Sequence, residues 1–170
     1  MIVIEYDDAQ VRQALARLAS RSASLAPAMS AIGNAVRYDI MERFDSSTAP
    51  DGSRWKPLTA AAIVSRARRS AGSGVKKRRA ETLRAFTVGA KPLLDIGLLR
   101  NSVRVASVSD SAVVVSAGGG RREKIAAIHN FGGQAGRGRK VRIPARPFMG
   151  VSAEGKAEIM DIIRRHLEAA

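Results

Sequence analysis

The sequence predicts an α+β domain in which an antiparallel sheet is packed by a long helix from the N-terminal half and by a C-terminal helix. Three observations predict it. Leu25, Met29, Ile32, Val36, Ile40 and Phe44 recur at helical spacing, a run of about five turns with one apolar stripe. Val103 and Val105, then Val113 and Val115, alternate with smaller or polar residues across Ser109-Asp110, the period of two strands joined by a tight turn. Near the end, Ile159, Ile162, Ile163, His166 and Leu167 return to helical spacing.

The remaining elements follow in chain order. Ile2, Val3, Ile4 and Tyr6 suggest a short N-terminal strand, stopped by Asp7-Asp8. Either aspartate can accept the free amides of a first helix over about residues 8 to 20, whose apolar positions are Val11, Ala14, Leu15 and Leu18. The long helix begins near Ser24 with Pro27 in its first turn. Its other face carries Arg37, Asp39, Glu42 and Arg43, expected to be solvated charge. Residues 45 to 57 have turn chemistry centred on Pro50-Asp-Gly52. Trp55, the sole tryptophan, is expected to pack this loop on the core or on a neighbouring subunit. Thr59 can cap a short helix through about Arg69, and residues 93 to 103 read as an apolar turn-helix unit. Ile125 to Phe131 reads as a short helix, and Val141 to Ile143 as a third sheet element. Pro144 and Pro147 bias Ile143 and Arg146 towards extended geometry, so a strand edge should give way to a rigid bend. Ser152 can cap the last helix, with Glu154 complementing its dipole.

A chain of 170 residues suits one domain, here residues 1–170 with a mobile basic insert around 66–90. The net charge of +14 is concentrated. Residues 66–84 hold eight Lys/Arg against one acid, and residues 121–146 again hold eight against one. The rest of the chain is electrically balanced, so a neutral body carries two basic excursions that attract polyanions or acidic protein surfaces. With no cysteine and two histidines, neither a disulfide nor a zinc site is expected. No apolar run is of membrane-spanning length, and the N-terminus has acid where a signal peptide has base. Gly118-Gly-Gly120 lacks the spacing and the following Lys-Ser/Thr of a nucleotide loop. His129 has no serine or acid linked to it by a recognised motif, and reads as a packed, hydrogen-bonded histidine beside Phe131. The expectation is a protein without catalysis, cofactor or metal.

The most unusual stretch is Ile125 to Gly150. His129-Asn-Phe-Gly132, followed by Ile143-Pro-Ala-Arg-Pro-Phe-Met-Gly150, resembles the H-x-F-G and I-P-A-R-P-F-L-G signature of the phage virion morphogenesis family, the tail-completion proteins of Mu-like and related temperate phages. Upstream, Phe44 with Pro50-Asp-Gly52 and Trp55-Lys-Pro-Leu58 is similar to that family's F…P-x-G-x-x-W-x-P-L element, and Leu93 to Leu99 to its L-L-x-x-G-x-L element. Asn130 stands where the family often has Gln, and Met149 where Leu is common.

The resemblance implies a virion structural protein that assembles as a ring, six-fold, on the tail end that meets the head. Its partners would be further copies of itself, tail-tube and head-connector proteins. On that reading His129, Phe131, Ile143, Arg146, Phe148 and Trp55 are candidate interface residues, because an unpaired strand edge invites another chain. Arg146 is either a planar donor to a neighbour's carboxylate, with Phe148 an anchor beside it, or part of a local salt bridge beside a core ring. Lys76, Lys77, Arg78 and Arg79, with Arg137, Arg139 and Lys140, are candidate contacts to DNA or to an acidic partner. The alternative is a general nucleic-acid-binding protein, favoured by a pI near 11.4. Against it, no aromatic interleaves with the Lys76 to Arg79 cluster, so the stacking that single-strand binders use is missing there.

Overall fold

A computed structural model of the chain describes residues 8–19, 24–70, 90–120 and 122–169. The expected strand at 2–6 and the insert from 71 to 89, with Lys76 to Arg79, lie outside the described residues. Five helices are described: α1 (Ala9–Ala19), α2 (Ala26–Ser46), α3 (Ala60–Ser70), α4 (Arg122–Phe131) and α5 (Ala153–Ala169). The strands form two separate antiparallel ribbons, β1 (Arg104–Val108) with β2 (Val113–Ser116), and β3 (Gly133–Ala135) with β4 (Val141–Ile143). The fold is therefore α+β. Val141 to Ile143 is a strand, but it pairs with Gly133–Ala135 instead of extending the hairpin.

The long helix α2 is the spine, lying between the β1–β2 hairpin and α5. Its apolar stripe divides into two cores. Leu25, Met29 and Ile32 join Ile159 and Ile163 of α5, with Val11 of α1 packed against them. Ile40 and Phe44, one end further on, join Trp55, Leu93, Leu99, Val103, Ala126 and Phe148. Each fully buried aliphatic or aromatic side chain contributes about 1.5 to 3 kcal/mol of apolar burial, and both cores draw on this one helix.

Hydrogen bonds fix the ends of the elements. Asp8 accepts the Gln10 amide at 2.9 Å, Thr59 that of Ala62 at 3.2 Å, and Ser152 that of Gly155 at 2.9 Å, as N-cap side chains should. At the start of α2 the acceptor comes from across the chain: Asp110 Oδ1, in the hairpin turn, takes the Ala26 amide at 2.9 Å and the Ser24 hydroxyl at 3.1 Å. The turn itself is closed by Ser109 N donating to Ala112 O at 2.8 Å. A bulge between Val105 and Ser107 shifts the hairpin register, which breaks the regular alternation of faces.

Of the charged face of α2, Glu42 is exposed as expected, but its neighbours are not. Arg43 is buried and Asp39 and Arg37 are partly so. A helix enclosed on two sides has little free circumference, and each of these groups finds a partner there. Arg37 Nε donates to Val103 O at 3.0 Å, while Arg43 pairs with Asp39 and with the chain after Phe148.

At Gly33 the hairpin approaches α2 so closely that a Cβ would stand 2.7 Å from Val113 Cγ2 and 3.2 Å from Val105. Alanine would gain up to about 1 kcal/mol in helix propensity, but overpacking two branched side chains costs about 1 to 3 kcal/mol. Gly33→Ala should therefore lower the urea midpoint of unfolding, and a midpoint equal to or above wild type would show that the hairpin can retreat without cost.

Candidate interaction surface

The Ile143 to Gly150 segment is held by side chains from three elements. Arg43 Nη1 donates to Phe148 O at 2.9 Å and to Gly150 O at 2.8 Å, and its Nη2 pairs with Asp39. Asn130 of α4, itself buried, accepts through Oδ1 from the amides of Phe148 and Met149, both at 3.0 Å. Trp55 Nε1 donates to Pro147 O at 2.8 Å. Arg146 returns the connection, donating from Nε to Lys56 O at 2.7 Å and from Nη2 to Pro57 O at 3.0 Å. Proline cannot donate, so a segment with Pro144 and Pro147 has few bonds of its own to offer, and these side chains supply them.

Three aromatic rings close the arrangement. Phe44 meets Trp55 edge-on at 5.7 Å and Phe148 at 5.2 Å with a 51° tilt, geometries that add about 0.5 to 1.5 kcal/mol per pair beyond area burial. Burial lowers the pKa of Arg43, opposed by Asp39 and Glu154, and burial followed by Arg66 lowers that of Arg146. Both guanidiniums stay charged.

Of the candidate interface residues, Trp55, Arg146 and Phe148 are thus engaged inside the chain. Arg146 meets carbonyl oxygens and Phe148 is a core ring. Ile143 and His129 are half-buried, and Phe131 is 66 % exposed. Arg137 and Lys140 are exposed, while the side chain of Arg139 lies outside the description. Gly132, the last residue of the His-Asn-Phe-Gly run, has φ +78, and a Cβ there would meet the Ala145 amide at 2.9 Å and Ile143 O at 3.2 Å. Only glycine permits that turn against that backbone.

Beside this clamp lies an open groove between α3, the 93–99 turn, α4 and β4. Ile96 (74 % exposed), Leu98, Ile125 and Val141 (54 %) present large apolar side chains on it. No signal in periodicity marks them as surface. Asn130 and Arg43 were likewise not singled out as the segment's fasteners, since an isolated polar residue in a helix carries no sequence mark of the carbonyl it will meet. His129 also lines the groove. Contrary to the expected hydrogen-bonded histidine, its Nδ1 is buried with no hydrogen-bond partner in the structure, because its charged neighbours Arg66 and Arg146 give their donors to main-chain carbonyls. The Gly118-Gly-Gly120 turn uses its polar atoms internally: Gly118 N donates to Ser102 Oγ at 2.9 Å, and Arg104 Nη1 donates to Gly118 O at 2.9 Å. Among the described residues no three of His, Asp or Glu converge as a metal site, and no described helix is long and apolar enough to cross a membrane.

The arrangement is a rigid signature segment next to an exposed apolar surface. A model of the phage virion morphogenesis family matches residues 6–168. The chain belongs to that family, whose members serve virion assembly as structural proteins. It is also 33% identical over 169 residues, 99% of this chain and 97% of the relative, to "Mu-like prophage FluMu G protein 2" of Haemophilus influenzae. No solved structure matches the chain.

Two measurements test the site. Asn130→Leu removes the acceptor of two buried amides; each orphaned group costs about 1 to 3 kcal/mol, so chemical denaturation should show a loss of about 2 to 6 kcal/mol. Burial, then Arg146 and Arg66, depress the His129 pKa below its unfolded value of about 6.5. Below that pH the unfolded chain binds the extra proton first, so stability falls as pH drops through about 6.5 towards the folded pKa and is unaffected above about 7.5. His129→Gln should flatten the stability profile between pH 7.5 and 5.5, and an unchanged slope would remove His129 as its source.

Proposed function

We propose that the protein completes the head-proximal end of a phage tail, as a ring of six copies, and that this ring supports joining of the tail to the head. Virion assembly is the family's role; the position at the neck and the ring go beyond it. The observation that carries it is the exposed apolar groove beside β4. Large apolar patches on one face mark surfaces that another chain covers. Both ribbons have only two strands among the described residues, so each has outer edges without a strand partner, and such edges accept further chains. The similarity to a Mu-like prophage protein over nearly the whole of both chains supports a tailed-phage setting. Tail-tube and head-connector proteins are the expected neighbours.

A second reading, non-specific contact with DNA, draws on exposed Arg122, Lys124, Arg137, Lys140 and Arg142. These are compatible with a ring whose basic side faces passing DNA, or with an acidic neighbour.

Particles made without this protein should show filled heads and tails that fail to join, or tails of irregular length, under the electron microscope. Normal infectious particles would reject the proposal. Duplex binding by the purified protein across a salt series separates the second reading: steep loss with salt is the mark of phosphate contacts, and changing Arg137, Arg139 and Lys140 to serine should then weaken it.

A further inference from the structure

The groove has a chemical character that narrows what can cover it. Its apolar surface is formed by Leu58, Ile96, Leu98, Ile125, Val141 and Ile143, while Arg66, Arg122, Arg142 and Arg146 stand around it against the single acid Asp95. Arg66 and Arg146 are bonded to main-chain carbonyls, whereas Arg122 and Arg142 are exposed. A segment that fits must bring apolar side chains to the floor and carboxylates to the rim. Because β4 forms one wall, an extended segment can also meet backbone donors and acceptors on the outer edge of the β3–β4 ribbon.

One stretch of this same chain has that composition. Residues 2–7 read Ile-Val-Ile-Glu-Tyr-Asp. In extended form Ile2, Ile4 and Tyr6 share one face, and Glu5 and Asp7 the other. We propose that residues 2–7 of one copy dock in the groove of a second copy, their apolar face on Ile96, Ile125 and Val141 and their carboxylates towards Arg122 and Arg142. This rests on the ring reading and names the surfaces that would hold it.

Docking between copies follows from where the two features sit. Asp8 lies with Lys156 and Met160 of α5, beside the core built on the first half of α2. The groove borders the other core, which gathers around Ile40 and Phe44. An attachment point at Asp8 beside one core and a receptor beside the other would give a head-to-tail contact between unlike surfaces, which forms a ring where the rotation closes.

The test uses a labelled MIVIEYDD peptide and a variant lacking residues 2–7, with helical content checked by circular dichroism. The peptide should bind this variant. Arg122→Glu with Arg142→Glu should weaken binding roughly tenfold, the loss of two rim ion pairs, and a peptide with Glu5→Lys and Asp7→Lys should bind the reversed groove better than the natural one. Lack of peptide binding, or indifference to both reversals, overturns the inference. In solution, the arm-deleted chain and the otherwise full-length groove-reversed chain should each fail to self-associate alone but pair when mixed. If the arm-deleted chain assembles like wild type, the docking inference falls and the ring reading stands. If wild type is monomeric at assembly concentrations although the peptide binds, the arm serves its own chain, and both fall.

Discussion

One guanidinium, that of Arg43, sets the geometry on which the rest of the structure depends. It projects from the end of α2 into the interior, takes the carbonyls of Phe148 and Gly150, and pairs with Asp39 one turn back. Asp39 in turn accepts the Ser152 amide at 3.2 Å and hydroxyl at 3.0 Å, and Ser152 caps α5. A single chain of contacts therefore links the spine helix, the proline-containing segment and the start of the last helix. A buried pair of this kind adds little net stability over well-packed apolar residues, but breaking it by removing one partner costs about 3 to 5 kcal/mol. Its effect is to fix position. Phe148 can complete the ring cluster with Phe44 and Trp55 only because the chain on either side of it is held.

Much of this was legible beforehand and some of it was not, for physical reasons. The stripe from Leu25 to Phe44 predicts α2 and its buried side because repetition over several turns is a strong signal. The caps at Asp8, Thr59 and Ser152 were also legible, since their chemistry is local. Asp110 as the acceptor at the head of α2 was not, because it is 84 residues from Ala26 and nothing local announces it. The same holds for the charged face of α2, which a helix read in isolation leaves in water. The signature from Ile143 to Gly150 showed in sequence that the region matters, but not whether Arg146 and Phe148 look inward or outward. The structure turns both inward, and places the exposed apolar side chains in the neighbouring turn, in α4 and in β4.

The division of strands into two ribbons has its own bearing on assembly. Two-stranded ribbons are marginal alone, and each is braced here by a helix. The β1–β2 hairpin lies on α2 at Gly33. The β3–β4 ribbon follows α4 directly and is tied through Gly132 to the backbone at Ala145. The first ribbon is thus part of the body, while the second stands at its margin, next to the groove and to exposed Arg137, Lys140 and Arg142. Charge, open backbone and apolar surface meet in one place.

The inward orientation of the signature separates two kinds of inheritance. Arg43, Trp55, Asn130, Arg146 and Phe148 are all satisfied within their own chain, so they record how a subunit folds and say nothing of whom it joins. Ile96, Ile125, Phe131 and Val141 instead leave much of their apolar surface outside the fold, and on the proposed reading it is there that recognition would be written. If the groove is where copies meet, two relatives could share every residue of the signature and still refuse to mix in one particle, so a search for compatible subunits between phages should compare the groove before the motif.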